Sequence, residues 1–254
     1  MRIGADRTIK RKISFALIGA NPRRICQCYD FCVSPQRGKF ITVEGLDGCG
    51  KSTQIEKLAT ALRRQKFEVV VTREPGGTPT GEKIRQILLD SNTAGLAPMA
   101  ELALMFAARA QHIKEVIQPA VGEGRIVVCD RFTDSSEAYQ GGGRKLGSEP
   151  VLALHKILGG GLQPDLTILM DSDVATSVKR ARRRNRSQAG AKNDENRFEQ
   201  ESRAFFERVR SAYLAIAERD PQRVAVVDAR GTAEETHRLI MEVVRRKLRL
   251  AKTA

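Results

Sequence analysis

From Lys39 onward, short runs of β-branched and apolar residues alternate with stretches in which apolar positions recur at helical spacing. The runs predict strands at Phe40–Glu44, Val69–Arg73, Ile126–Cys129, Leu166–Asp171 and Val224–Asp228. Ile55, Leu58, Ala59 and Leu62 fall on one helical face, as do Ile84, Ile87 and Leu88, and later Phe205, Phe206, Val209, Tyr213 and Ile216. A last helix near residues 233–250 turns Ile240, Val243, Val244 and Leu248 inward and an Arg/Lys face outward. Strands alternating with helices predict an α/β fold, a three-layer sandwich of a five-stranded parallel sheet with helices on both faces. Residues 1–38 show neither period and are assigned no packed role.

A length of 254 residues suits one domain, 39–250, preceded by a basic N-terminal extension, 1–38. The extension reads as disordered, as an overlong reading of the gene start, or as a targeting segment. Its apolar run, 13–20, is short for a signal peptide, and no clear small-residue cleavage site follows. No run of about 18 apolar residues exists, so no membrane span is expected. A formal net charge of +14 raises the question of a nucleic-acid partner. The charge is local, however: residues 1–38 carry +6 and residues 179–197 another +6, which leaves +2 for the body. No nucleic-acid partner is therefore expected. Five cysteines, an odd number without framework spacing, fit neither a disulfide scaffold nor a zinc site and point to a reducing cytoplasm.

Chemistry enters at Gly45-Leu46-Asp47-Gly48-Cys49-Gly50-Lys51-Ser52-Thr53, a G-x-x-x-x-G-K-[ST] segment between a predicted strand and a predicted helix. Its glycines let successive backbone N–H groups converge on one anion, and the helix N-terminus adds its positive end. The expected ligand is ATP or GTP, with Lys51 reaching the β and γ phosphates and the Ser52 hydroxyl ligating Mg²⁺. The sandwich is thereby narrowed to the P-loop NTPase class. Cys49 reads as a filler of a small-residue position in preference to an oxidation-sensitive thiol. Asp47, beside anionic phosphate, is costly unless it faces a second partner such as the acceptor substrate.

Ligands of open α/β sheets bind beyond the carboxyl ends of the strands. There stand Thr72-Arg73-Glu74-Pro75-Gly76-Gly77-Thr78 after the second strand and Asp130-Arg131 after the third, followed by Ser135, Tyr139, Gln140 and Gly141-Gly142-Gly143-Arg144. Arg73 and Arg131 are placed to grip an anion, Asp130 to meet a Mg²⁺-bound water, and Tyr139 to offer a flat wall. These motifs together resemble the bacterial thymidylate kinase family over residues 39 to about 250. The resemblance implies transfer of the ATP γ-phosphoryl group to dTMP, giving dTDP and ADP with Mg²⁺, a step of pyrimidine deoxynucleotide synthesis. It implies that Asp47 contacts the acceptor's sugar and phosphate region and that Arg73 and Arg131 hold its phosphate. Phe106 matches the wall on which thymine stacks, Arg109 the arginine that reads the base, and Tyr139 the residue that crowds the 2′ position. Ser135 and Gln140 fall near the same substrate. A homodimer through helix faces is implied as well. Phe106, with Leu102 and Met105, also reads as the core face of a helix.

Residues 179–197 read as a basic lid, with a helix-compatible start, a break at 187–190 and a resumption toward Asn196-Arg197-Phe198-Glu199. Phosphoryl transfer needs positive charge on the migrating group and exclusion of water, and a closing basic segment supplies both. Some members of the family carry an arginine inside the loop, at the position held here by Gly48. The resemblance therefore implies that Arg182 or Arg184 of the lid supplies the cation, making the catalytic set Lys51, Asp47, Arg131, Arg182 and Arg184. Two rivals stand beside this reading: a small kinase for another nucleotide, and a P-loop ATPase acting on nucleic acid. The second usually carries a paired Asp-Glu after a later strand, where this chain has Asp130-Arg131.

Overall fold

A computed structural model of the chain describes residues 37–93, 95–187, 197, 198 and 200–248, and for 184–187 the backbone alone. Five strands, β1 (Phe40–Glu44), β2 (Val69–Arg73), β3 (Ile126–Asp130), β4 (Leu166–Asp171) and β5 (Val224–Asp228), form one parallel sheet in the order β2-β3-β1-β4-β5. Four strands have the predicted bounds, and β3 runs one residue further, through Asp130, which pairs with Arg73. The helices are α1 (Lys51–Arg64), α2 (Pro79–Leu89), α3 (Pro98–His112), α4 (Gln118–Gly122), α5 (Thr133–Ser136), α6 (Ser148–Leu158), α7 (Val174–Ser187), α8 (Arg203–Arg219) and α9 (Ala233–Leu248). π-Helical turns at Ile113–Ile117 and Glu137–Gly143 join α3 to α4 and extend α5.

Every position of β1 is buried, because helices cover both sheet faces. On one face, α1 and α9 pack Ile55, Leu58, Leu62, Ile240 and Val244 onto Ile41, Val43, Val128, Ile168 and Val227. On the other, α8 sets Phe205, Phe206, Val209 and Tyr213 against Leu169 and Val224, while Ile113, Ile117 and Ala120 meet Phe40, Val127 and Cys129. Each such fully buried side chain contributes roughly 1.5–3 kcal/mol. Helix starts are fixed locally: the Thr78 hydroxyl accepts from the Gly81 N–H with Pro79 at the first helical position, and Ser202 caps α8 through the Phe205 N–H. In register, Val43 lies opposite Asp130 and Glu44 opposite Leu169, so the carboxyl ends of the central strands open together on one edge of the sheet.

Two expectations are corrected. Ile87 is 47% exposed, whereas Leu88 is fully buried. Helix α2 packs its buried side on α3, and a residue one position away points about 100° round the helix and out to solvent. The packed domain also begins earlier than Lys39. The Gly38 N–H donates to the Val121 carbonyl at 2.8 Å, and Arg37 donates to both carboxylate oxygens of Asp165 at 2.8 and 2.9 Å. Backbone pairing and close approach at a glycine leave no hydrophobic period to read. Residues 1–36 and 249–254 lie outside the described residues. Among the described residues, no helix is long and apolar enough to cross a membrane.

Candidate active site

The loop Gly45–Gly50 leaves the end of β1 and enters α1 through three glycines with positive φ: Gly45, Gly48 and Gly50. Gly48 shows why the residue is needed. At φ +82°, a Cβ there would lie 2.2 Å from the Ser177 carbonyl oxygen and 2.9 Å from the Ala181 nitrogen, both backbone atoms of α7. The space that an arginine at this position would require is filled by α7. Lys51, buried, donates from Nζ to the carbonyl oxygens of Gly45 and Leu46 at 3.1 and 2.9 Å and lies 3.9 Å from Asp47. Ser52 is exposed at the start of α1. Cys49 is buried, and burial pushes its thiol up, which fits the filler reading.

Beside the loop, Arg131 is held on four sides. It donates from Nη2 to Asp47 at 2.7 Å and to the Tyr139 hydroxyl at 3.1 Å, and from Nη1 to Ser135 at 3.0 Å and to the Tyr213 hydroxyl at 3.2 Å. The Tyr139 hydroxyl donates to the other Asp47 oxygen at 3.0 Å. Burial alone would raise the Asp47 pKa, but the charges of Arg131 and then Lys51, with these hydrogen bonds, hold the carboxyl well below the usual carboxylate range. Arg131 itself has φ +72°, unusual for a side-chain-bearing residue. Glu44 braces the turn from below: it accepts from the Phe132 N–H at 2.7 Å, from Ser135 at 2.5 Å and from Tyr213 at 3.0 Å. Burial, then the nearby Asp134, push the Glu44 carboxyl up to about 7 against the hydrogen bond from Ser135 and the charge of Arg131.

A second cluster surrounds Arg109, whose guanidinium lies between the rings of Phe106 and Phe132 at 4.5 and 5.1 Å. Its Nε donates to Glu74 at 2.7 Å and its Nη2 to Ser136 at 3.0 Å. Its Nη1 is buried and has no hydrogen-bond partner among the described residues. Phe106 is fully buried against Leu102 and Val151, on the core face of its helix, and its ring carries the Arg109 guanidinium. Tyr139 does not stand as an open wall: its ring meets Phe198, Phe205 and Tyr213 edge-on, and the Arg131 guanidinium lies over it at 4.8 Å.

The other expected residues are more dispersed. Arg73 is half-exposed and pairs with Glu82 at 2.9 Å, and Glu82 also accepts from the Gly77 N–H. Gln140 is buried and donates to Glu101 at 2.8 Å, so its amide braces α3. Glu101, fully buried, also receives Arg144 and Arg197, and Arg197 donates to the Leu88 carbonyl as well. The C-terminal end of the expected lid is thus a fixed anchor. At the other end, Arg182 is exposed on α7 and donates to the Glu201 carbonyl at 3.1 Å. Arg184 lies on α7 with its side chain outside the described residues, as do residues 188–196 of the lid. Glu44, Glu74, His112 and Tyr213 were not singled out as site residues from the sequence. Each is joined to its site partner only by the fold, and the one usable signal is Glu44's position as a carboxylate closing a strand directly before the loop.

Asp130 has a buried carboxylate oxygen without a partner among the described residues, at the carboxyl end of β3. With the exposed Ser52 hydroxyl it suits a hard, oxygen-preferring cation that takes its remaining ligands from phosphates. Among the described residues no cluster of three or more His, Cys, Asp or Glu side chains could hold a metal alone.

A parallel sheet with a phosphate loop after its central strand, a braced arginine beside that loop and a basic helix against it defines a P-loop nucleotide kinase. The family model described as thymidylate kinase matches residues 43–240. The chain is 48% identical over 207 residues to the thymidylate kinase of Geobacter sulfurreducens, covering 82% of this chain and 96% of that one. It is 51% identical over 193 residues to that of Alkalilimnicola ehrlichii, covering 76% and 86%. The crystal structure of thymidylate kinase from Ehrlichia chaffeensis superposes with a TM-score of 0.66 at 30% identity, covering 82% of this chain and 99% of that one. The chain belongs to the thymidylate kinase family.

Proposed function

We propose that the cluster at Asp47, Arg131 and Lys51 brings the phosphates of ATP and dTMP together, with Arg109 and Phe106 taking the base of dTMP. The reaction of a thymidylate kinase is transfer of the ATP γ-phosphoryl group to dTMP, giving dTDP and ADP, and this chain carries it out. One observation supports the assignment above the rest: the Asp47 carboxylate sits 2.7 Å from Arg131 and 3.9 Å from Lys51. The cation on the triphosphate side and the cation on the acceptor side are thus held against one anion, which fixes their separation before either substrate arrives. Asp47, Tyr139, Ser135 and Tyr213 hold the Arg131 guanidinium in place by its four Nη hydrogens, and the dTMP phosphate, to which the planar fork is suited, would take donors over from these partners on binding. The N–H groups of the loop and the start of α1 receive the triphosphate.

Ser52 and Asp130 would hold Mg²⁺ together with phosphate oxygens, and the ion supplies positive charge that offsets the negative charge of the β and γ phosphates. Arg73 adds charge near the acceptor phosphate once drawn from Glu82, and Arg182 or Arg184 adds it from the lid side. Exposed Ile87, Met99, Leu152, Ile157 and Leu158 on α2, α3 and α6 support a homodimer through that face, because α3 packs against both other helices. Cys49 and Cys129 are free thiols, which suits a reducing cytoplasm. The test is a panel of dTMP, dUMP, UMP, CMP and AMP with ATP and Mg²⁺. The highest kcat/KM is expected for dTMP, and a preference for any ribonucleotide would overturn the assignment.

A further inference from the structure

We propose that His112 is a positioning residue for the acceptor nucleotide, setting the orientation of Arg109 and seating the loop that follows Arg73. The inference rests on the reading that Arg109 takes the base of dTMP. His112 is fully buried, one helical turn beyond Arg109 on α3, and belongs to no phosphate-binding motif. Its Nδ1 meets Glu74 Oε1 at 2.9 Å and its Nε2 meets the Thr72 hydroxyl at 2.7 Å. Glu74 uses its other oxygen to accept from Arg109 Nε at 2.7 Å. A carboxylate only accepts, so Nδ1 carries a hydrogen, and the Thr72 hydroxyl can donate to Nε2; one tautomer therefore satisfies both contacts. The result is a chain, Thr72 to His112 to Glu74 to Arg109 to Ser136, in which every link is buried or partly buried.

Two further observations give this chain a direction. With Nε and Nη2 engaged and the guanidinium plane gripped by Phe106 and Phe132, Nη1 is the Arg109 nitrogen without a partner among the described residues, and its direction depends on where Glu74 holds Nε. Gly77, at φ +76°, lies directly on the imidazole: a Cβ there would come within 2.6 Å of both Cδ2 and Nε2. His112 therefore touches the loop after Arg73 and, through Glu74, the arginine at the base end. It acts as a spacer between the two ends of the nucleotide monophosphate. Without the imidazole donor, Glu74 Oε1 stays buried and unpaired, and a carboxylate in that state turns to find another donor and carries Arg109 with it.

The experiment compares wild type with His112→Leu and His112→Asn, varying dTMP and ATP separately and recording melting temperature. Asn keeps an N–H near the Nδ1 position; Leu keeps bulk and no hydrogen bond. The expected result for His112→Leu is a KM for dTMP raised about ten- to hundredfold, with kcat within about threefold and KM for ATP within about twofold. His112→Asn should return to within about threefold of wild type. In a cycle with Arg109→Lys, the two changes should be strongly non-additive, the double variant being no worse than Arg109→Lys alone. An unmoved KM for dTMP, an equal rise in both KM values, or additive effects would each overturn the inference. If His112→Leu does not fold, His112→Gln, which keeps the Thr72 contact but not the Glu74 contact, takes its place. Asn must then lie closer to wild type than Gln, and the reverse order rejects the role. A wild-type enzyme inactive on dTMP would instead remove the base reading on which the inference stands.

Discussion

Replacing Gly48 by alanine adds one methyl group at the point where the phosphate loop meets α7. Two costs follow from the geometry. The residue must keep φ +82°, which costs a side-chain-bearing residue roughly 1–2 kcal/mol. The new Cβ would also stand 2.2 Å from the Ser177 carbonyl oxygen and 2.9 Å from the Ala181 nitrogen. Ordinary contact requires α7 to retreat by about 1 Å, and such overpacking costs about 1–3 kcal/mol. Together these give roughly 2–5 kcal/mol, or a fall in melting temperature of about 5–15 °C for a domain of this size. Because Arg182 and Arg184 ride on α7, a shift of that size should lower kcat at least about tenfold, while KM for dTMP stays near wild type. Gly50→Ala is the control for stability. It has φ +99°, but the nearest atom to its Cβ is the terminal methyl of Met170 at 3.8 Å, so it carries the backbone strain without the collision. Thermal unfolding and steady-state kinetics read both effects. A Gly48→Ala variant that melts with wild type or with Gly50→Ala, at unchanged kcat, would refute the claim that this contact sets the position of α7.

Glu44→Gln tests the buried carboxyl. With its folded pKa raised from 4.5 to about 7, Glu44 keeps a proton that the unfolded chain releases, so its contribution is complete below about pH 4.5 and is lost as pH rises to 7. Wild type should lose about 3 kcal/mol relative to Glu44→Gln across that window, and parallel urea-unfolding profiles of the two proteins at pH 5, 6, 7 and 8 would count against it. Arg182→Ala or Arg184→Ala should lower kcat at least about tenfold; wild-type kcat in both single variants and in the double variant would dismiss the lid as the source of the cation. A truncation beginning at Arg37 keeps the Asp165 contacts and should retain kcat/KM within about twofold, because the sequence of residues 1–36 carries no strand or helix period. More than a tenfold loss would give residues 1–36 a role in the reaction.

The sheet was legible because a parallel strand covered on both faces is mostly apolar and β-branched, and Phe40–Glu44 and Leu166–Asp171 declare themselves without reference to their partners. The phosphate loop was legible because a local backbone shape demands glycine at fixed spacing. Ile87 misled because a three-residue apolar stripe does not say which of its members faces the protein when the helix is covered on one side. Arg37 and Gly38 were missed because their contacts run through backbone and one distant carboxylate. The braces of the site were hidden for a related reason. Glu44 reaches Phe132 and Tyr213, and Glu74 reaches Arg109 and His112, across tens of residues of chain. A buried carboxylate in an otherwise ordinary strand end or loop looks in sequence like any solvated acid. Position Arg131 shows the limit in another form: its identity signals anion binding, but its left-handed backbone, which aims it at Asp47, is invisible until the turn is built.

The central place of β1 has a consequence in time. Its neighbours are made long after it: Phe40 pairs with Val127 and Ile41 with Leu166. At a synthesis rate of about 5–20 residues per second, the strand that leads into the phosphate loop waits on the order of ten seconds for its second neighbour. Through that interval the loop sequence exists without the walls that shape it, since Gly45 borders Met170 of β4 and Gly48 borders α7. Nucleotide binding therefore reports completion of the sheet in a growing or refolding chain, and ATP stabilises the assembled domain without being able to template its early strands.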